Sequence, residues 1–252
     1  MVKHIFTLYA LFIFAFSINT HTLDCSIQQC SSLQEITNTI ENQTLFVFDF
    51  DNTLFECVDA QQGSDQWFAG AINYFKKQHN DQAFEHVLNL YQQKHQTALI
   101  QPAEACTLDI LNQLKKQVPH INVIILTARS IIQETERELD NIQNAPVSSF
   151  SFAPFHLDAH KSKTFRLSKE DAFYKNGIMF CGCNKKSEAL IALLQHYKLT
   201  PKKIVFVDDR QHHVEDVHSA LTAQSLNIIG LHYTHLADKI NAFIFNPATL
   251  VA

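Results

Sequence analysis

The sequence predicts an α/β protein: a doubly wound, Rossmann-like parallel sheet with helices on both faces and a small helical cap inserted after the first strand. Short apolar runs recur at residues 45–48 (LFVF), 123–126 (VIIL), 178–181 (IMFC), 204–207 (IVFV) and 226–231 (LNIIGL), as strands buried on both faces require. Between them lie segments with apolar residues at helical spacing. That alternation implies parallel strands joined by right-handed crossovers. Acidic residues follow two of the runs directly, at the carboxyl ends of strands, where such sheets carry their ligand crevice.

Residues 1–20 have the parts of a secretory signal peptide. Lys3 precedes an apolar run reaching residue 18, and Ala15 and Ser17 are placed for cleavage after Ser17 or shortly beyond. The run, about 14 residues, falls short of the ~20 that cross a bilayer, so no stable membrane span is expected once the leader is removed. The remainder, residues 21–252, is then exported, periplasmic or secreted. Export permits its six cysteines to pair, and Cys25 with Cys30 is the expected local bridge. At 252 residues and 46% hydrophobic the chain can bury a full core, and a net charge of -5 supplies no basic footprint for nucleic acid.

Along the mature chain, residues 45–48 form the first central strand. Residues 65–78 and 81–96 carry two amphipathic patterns inside an insertion spanning about 58–101, and are expected as a lid over the crevice. Trp67, Phe68 and Tyr91 in it have core packing as their commoner use. A helix is expected over residues 108–114 and a strand over 123–126. Residues 145–177 are Phe-rich and irregular, ending in Asn176-Gly177, a tight hairpin turn feeding the strand at 178–181. Helical spacing returns at 187–197 (SEALIALLQHY) and 214–221, on either side of the strand at 204–207.

The chemistry is placed at strand ends. Side chains alternate in extended backbone, so Asp49 and Asp51 can point into one space, and a neighbouring strand would bring Asp208 and Asp209 to them. Such a group of carboxylates repels itself and resists desolvation. A hard divalent cation, magnesium, relieves both effects through oxygen ligands.

Four stretches in order, DFDNT at 49–53, the threonine closing VIILT at Thr127, a lysine in NKKSEAL, and the pair Asp208-Asp209, resemble the motifs of the haloacid dehalogenase-like superfamily of aspartate-nucleophile phosphatases. The resemblance covers residues 45–231, and its insertions fall where that superfamily places caps; a secreted acid-phosphatase-like or an uncharacterised bacterial branch is the nearest in character. It implies Asp49 as nucleophile and Asp51 as acid and then base. It further implies Thr127 and a lysine on the phosphoryl oxygens, with Lys186 favoured over Lys185, and magnesium held by Asp49, Asp51 through its backbone carbonyl, Asp208 and Asp209. A small phosphorylated substrate would be hydrolysed through an aspartyl-phosphate. The alternatives are a phosphotransferase or mutase of the same superfamily, or a non-catalytic phospho-ligand-binding or interaction protein that keeps the magnesium site. Blander roles compete at some positions: Thr53 can shape its loop, Asp209 can cap the following helix, Arg129 can pair with an acid on the helix after it, and His212, His213 and His218 can sit beside the site without entering it.

Overall fold

The computed structural model describes residues 25–79, 81–117, 122–143 and 162–250. The expected leader and the first part of the Phe-rich stretch lie outside them. The strands are β1 (Ser26–Cys30), β2 (Thr44–Phe48), β3 (Phe55–Cys57), β4 (Ile100–Pro102), β5 (Asn122–Thr127), β6 (Lys163–Arg166), β7 (Asp171–Lys175), β8 (Ile178–Phe180), β9 (Lys203–Asp208) and β10 (Ile228–Tyr233). The α-helices are α1 (Asp65–Lys77), α2 (Ala83–Lys94), α3 (Thr107–Gln117), α4 (Ile132–Asp140), α5 (Lys186–His196), α6 (Gln211–Thr222) and α7 (Ala237–Asn241).

An eight-stranded sheet runs β1-β10-β9-β2-β5-β8-β7-β6. All its pairings from β1 to β8 are parallel, and β7 and β6 extend it antiparallel. Strand β2 shows why both faces are covered. Its side chains alternate between two cores: Phe46 and Phe48 pack with Leu111 and Leu114 of α3, whereas Leu45 and Val47 pack with Leu190 of α5 and Val217 of α6. Each such buried side chain contributes ~1.5–3 kcal/mol of transfer free energy. Strand β2 lies between β5 and β9, so the chain switches sides there and opens a crevice at its carboxyl end.

The cap is built on the two-stranded ladder of β3 and β4, where Cys57 stands opposite Ile100. Helices α1 and α2 pack through Trp67, Ala71, Val87 and Tyr91, with Phe243, Phe245 and Leu250 of the C-terminal segment added to that cluster. Ser64 caps α1 by accepting the Trp67 N–H at 3.1 Å. Gly70 is where Phe245 approaches: a Cβ there would lie 2.7 Å from its ring.

The hairpin expected at Asn176-Gly177 joins β7 to β8, with both residues at positive φ, 51° and 84°, the backbone that a two-residue turn of this hand requires. Strand–helix alternation fails at both sheet edges. Strand β1, SIQQC, is polar with its middle three residues exposed, because an edge strand needs no apolar run. Strands β6 and β7 occupy part of the irregular Phe-rich stretch. The Cys25–Cys30 bridge is also corrected. Both flank or end the extended β1, so their Cα atoms lie ~16 Å apart at strand rise, well beyond the ~7 Å limit of a disulfide. All six cysteines are free thiols.

Candidate active site

The crevice floor is set by the tips of β2 and β9. The Asp49 N–H donates to the Val207 carbonyl at 2.9 Å, which carries the ladder one residue past β2 and seats Asp49 beside Asp208. Asp49, Asp208 and Asp209 each present a carboxylate oxygen within 4.8 Å of the others. The Lys186 ammonium donates to Asp49 and to Asp208, at 2.6 Å each. Lys185 instead pairs with Asp216 at 3.0 Å, largely in solvent. With all three carboxyls ionised, one cation would stand against three carboxylates, a residual of two negative charges.

The acids divide unequally. Burial works to raise Asp208, but Lys186 and the His213 hydrogen bond overcome it and bring its carboxyl down to about 2. Burial pushes Asp49 well above the usual aspartate range, with Asp208 and Asp209 adding to the rise against Lys186. Burial and the Asp208 charge push Asp209 up to about 7. Its Oδ1 is enclosed with no hydrogen-bond partner among the described residues.

The carboxylate of Asp51 is not part of this three-acid group. Arg129 takes both its oxygens, Nε to Oδ2 at 2.8 Å and Nη2 to Oδ1 at 2.7 Å, the fork geometry that matches guanidinium to carboxylate. Burial opposes the charge, but Arg129 prevails and holds Asp51 below its ordinary value. The same guanidinium reaches Glu138 of α4 and the Thr135 hydroxyl, and lies over the Phe50 ring at 4.3 Å. Glu138 in turn meets His95, whose Nε2 faces the Gly63 carbonyl at 2.8 Å.

The remaining residues singled out from sequence are placed as follows. Thr127 is buried, and its hydroxyl accepts the Arg129 N–H at 3.1 Å. The Thr53 hydroxyl accepts the Asp209 N–H at 3.1 Å, tying the loop after β2 to the tip of β9. Asp209 makes no cap to α6, whose preceding residue is Arg210; it is Asp208 that accepts the Arg210 N–H. His213 lies 3.2 Å from Asp208, with His212 against its ring. Sequence reasoning missed Arg210, which meets Asp65 of the cap across the crevice mouth at 2.5 Å. The acid expected on the helix after Arg129 is Glu138; the pairing that sequence reasoning missed is that of Glu138 with His95, which spans 43 residues and leaves no local trace.

Fold and site together define an α/β protein with an acid-tipped crevice beneath a helical cap. The chain belongs to the family described as "Protein of unknown function (DUF2608)", whose model matches residues 29–248. It is similar to a Chlamydia pneumoniae protein described as "Putative outer membrane protein", 21% identical over 227 residues, 88% of this chain and 82% of that one. No solved structure matches it. Among the described residues, no helix is long and apolar enough to cross a membrane.

Proposed function

We propose that the chain is a magnesium-dependent phosphatase that hydrolyses phosphomonoesters through an aspartyl-phosphate on Asp49, as its likeness to the haloacid dehalogenase-like superfamily implies. The observation carrying this reading is the meeting of Asp49, Asp208 and Asp209 around the Lys186 ammonium, with Asp51 opening onto the same cavity. A solvated acidic patch has no reason to be placed at buried strand tips.

The donor set fits a divalent cation on two counts. The residual charge of three ionised carboxylates and one ammonium would be matched by two positive charges, which would also favour the ionised forms of the raised Asp49 and Asp209, and the enclosed Oδ1 of Asp209 is a lone acceptor facing no donor among the described residues. Asp49, Asp208 and Asp209 would hold the ion, which when bound offsets the repulsion between an anionic nucleophile and an anionic ester. Asp49 attacks phosphorus as the ester oxygen departs. Asp51, oriented by Arg129, passes the proton of the substrate monoanion to that oxygen, then takes one from the water that opens the acyl-phosphate. Lys186 offers its ammonium to the phosphoryl oxygens.

The leader-like residues 1–20 and the description of the Chlamydia pneumoniae relative support a site of action outside the cytosol. The function is tested with Asp49→Asn, a near-isosteric change. The variant is expected to melt as a folded protein and to release no phosphate from p-nitrophenyl phosphate in the presence of magnesium. Turnover retained near the wild-type rate refutes the nucleophile and the mechanism with it.

A further inference from the structure

The crevice continues upward into a cavity of about 440 Å³, large enough for a phosphate and a ring-bearing group beyond it. Its roof is the cap. Phe68 and Ile72 of α1 and Phe84, Leu88 and Tyr91 of α2 line it, each set at i, i+4 or i+7 spacing and so on one helix face. Phe68 meets Phe84 and Tyr91 edge to face, with ring centroids 6.0 and 5.2 Å apart. Phe84 is 42% exposed, leaving apolar surface for a ligand to cover.

The charged lining is already engaged. Lys186 pairs with Asp49 and Asp208, Arg129 with Asp51 and Glu138, and Arg210 with Asp65. Glu170 adds a carboxylate at the rim, where it accepts the Cys183 N–H. A second phosphate would find no uncommitted lysine or arginine among the lining residues and would meet Asp65 and Glu170. A sugar would find Asn73, Ser130 and His213 as further hydrogen-bonding side chains in the lining, but across the aromatic and aliphatic roof its other hydroxyls would lie against hydrocarbon, and unpaired buried polar groups are costly.

Resting on the phosphatase reading, we infer that the substrate is the monophosphate ester of an apolar, ring-bearing alcohol, with its phosphate on the acid floor and its ring against Phe68, Phe84 and Tyr91. Ring stacking and burial of apolar surface supply the selectivity. Sugar phosphates and bisphosphates are poor substrates.

The test compares 2-naphthylmethyl phosphate with glucose 6-phosphate, both esters of primary alcohols, so that leaving-group acidity does not decide the outcome. With the full chain and magnesium chloride, kcat/KM is expected to favour the naphthylmethyl ester by at least about tenfold. A ratio near one, or its reversal, overturns the inference. Phe84→Asn is expected to bring the ratio toward one through KM; because Phe84 is exposed, the change spares the core. An unaltered ratio removes the roof from substrate selection.

Calorimetric binding of 2-naphthylmethylphosphonate and methylphosphonate separates this inference from the reading beneath it. Tighter binding of the naphthyl compound without phosphate release from any ester supports the ligand class and removes the phosphatase activity. Equal binding alongside turnover removes the ligand class and leaves the phosphatase.

Discussion

The acid cluster makes stability depend on pH in an unusual direction. Asp209 has an ordinary value of 3.8 and is pushed up to about 7 in the fold, so the folded chain holds that proton more tightly than the unfolded chain does. Its contribution is fully present below about pH 4 and is lost as pH rises through 7. Roughly three pH units at ~1.4 kcal/mol each set a ceiling of ~4 kcal/mol. Solvent at this partly exposed carboxylate trims the effect to ~1–3 kcal/mol. Asp49, raised in the same direction, adds to it. Other acids act elsewhere: Asp208 at about 2 and Glu138, held below its ordinary value, lose their contributions at lower pH. His212 is lowered by burial and acts in the opposite sense, but it is exposed and weak. Without divalent ions, the melting temperature is therefore expected to fall by ~3–10 °C between pH 4.5 and 7.5, at ~2–4 °C per kcal/mol for a chain of this class of length. Magnesium at ~100 times its Kd should restore ~2.7 kcal/mol at the upper pH. Asp209→Asn should flatten the slope and weaken the response to magnesium. Calorimetric melts across pH, with EDTA or magnesium chloride, measure all three. A flat or rising profile in EDTA, indifferent to magnesium, refutes the shared acid site.

Two further outcomes are expected. Glu138→Ala removes one partner of a buried pair and leaves Arg129 with less compensation, costing ~3–5 kcal/mol in urea unfolding; a loss under ~1 kcal/mol contradicts the buried network. Gly70→Val places a Cβ 2.7 Å from the Phe245 ring, so it should cost ~1–3 kcal/mol and expose the chain after residue 242 to limited proteolysis; an unchanged digestion pattern and melt remove the C-terminal segment from its place on the cap.

What the sequence revealed follows the range over which each feature is determined. LFVF followed by Asp49 is a local pattern, apolar on both faces of β2 because helices cover both, and the structure places it at the centre of the sheet. Asn176-Gly177 is equally local, since positive φ at two successive residues leaves little choice of residue type. The cap helices show their apolar stripes at 3.6-residue spacing. By contrast, SIQQC in β1 is held by backbone pairing to β10, which side-chain pattern does not record. The Phe243 and Phe245 rings have no periodicity of their own, and their partner Trp67 is far along the chain. At the site, Asp49 and Asp208 could be placed together because both end apolar runs. The engagement of Asp51 by Arg129 required knowing that the chain after β5 turns back across the crevice.

That engagement links the acid-tipped end of the crevice to the cap. From Asp51 the contacts run through Arg129 and Glu138 to His95, which closes α2, and on to the Gly63 carbonyl, one residue before the cap of α1. Arg137, next to Glu138, donates to the His95 and Ala98 carbonyls. Both ends of the helical insertion are thus tied at one buried point, and that point also orients Asp51. Gly63 stands at φ 102°, and a Cβ there would lie 3.0 Å from the His95 ring nitrogen, so the approach depends on glycine. Any swing of the cap about its β3–β4 stem must either carry Glu138 and Arg129 along or break charge-assisted hydrogen bonds in a buried setting, where they are strong. The orientation of Asp51 therefore depends on the position of the cap, and the residues that shape the roof of the cavity are mechanically joined to the group proposed to handle the proton.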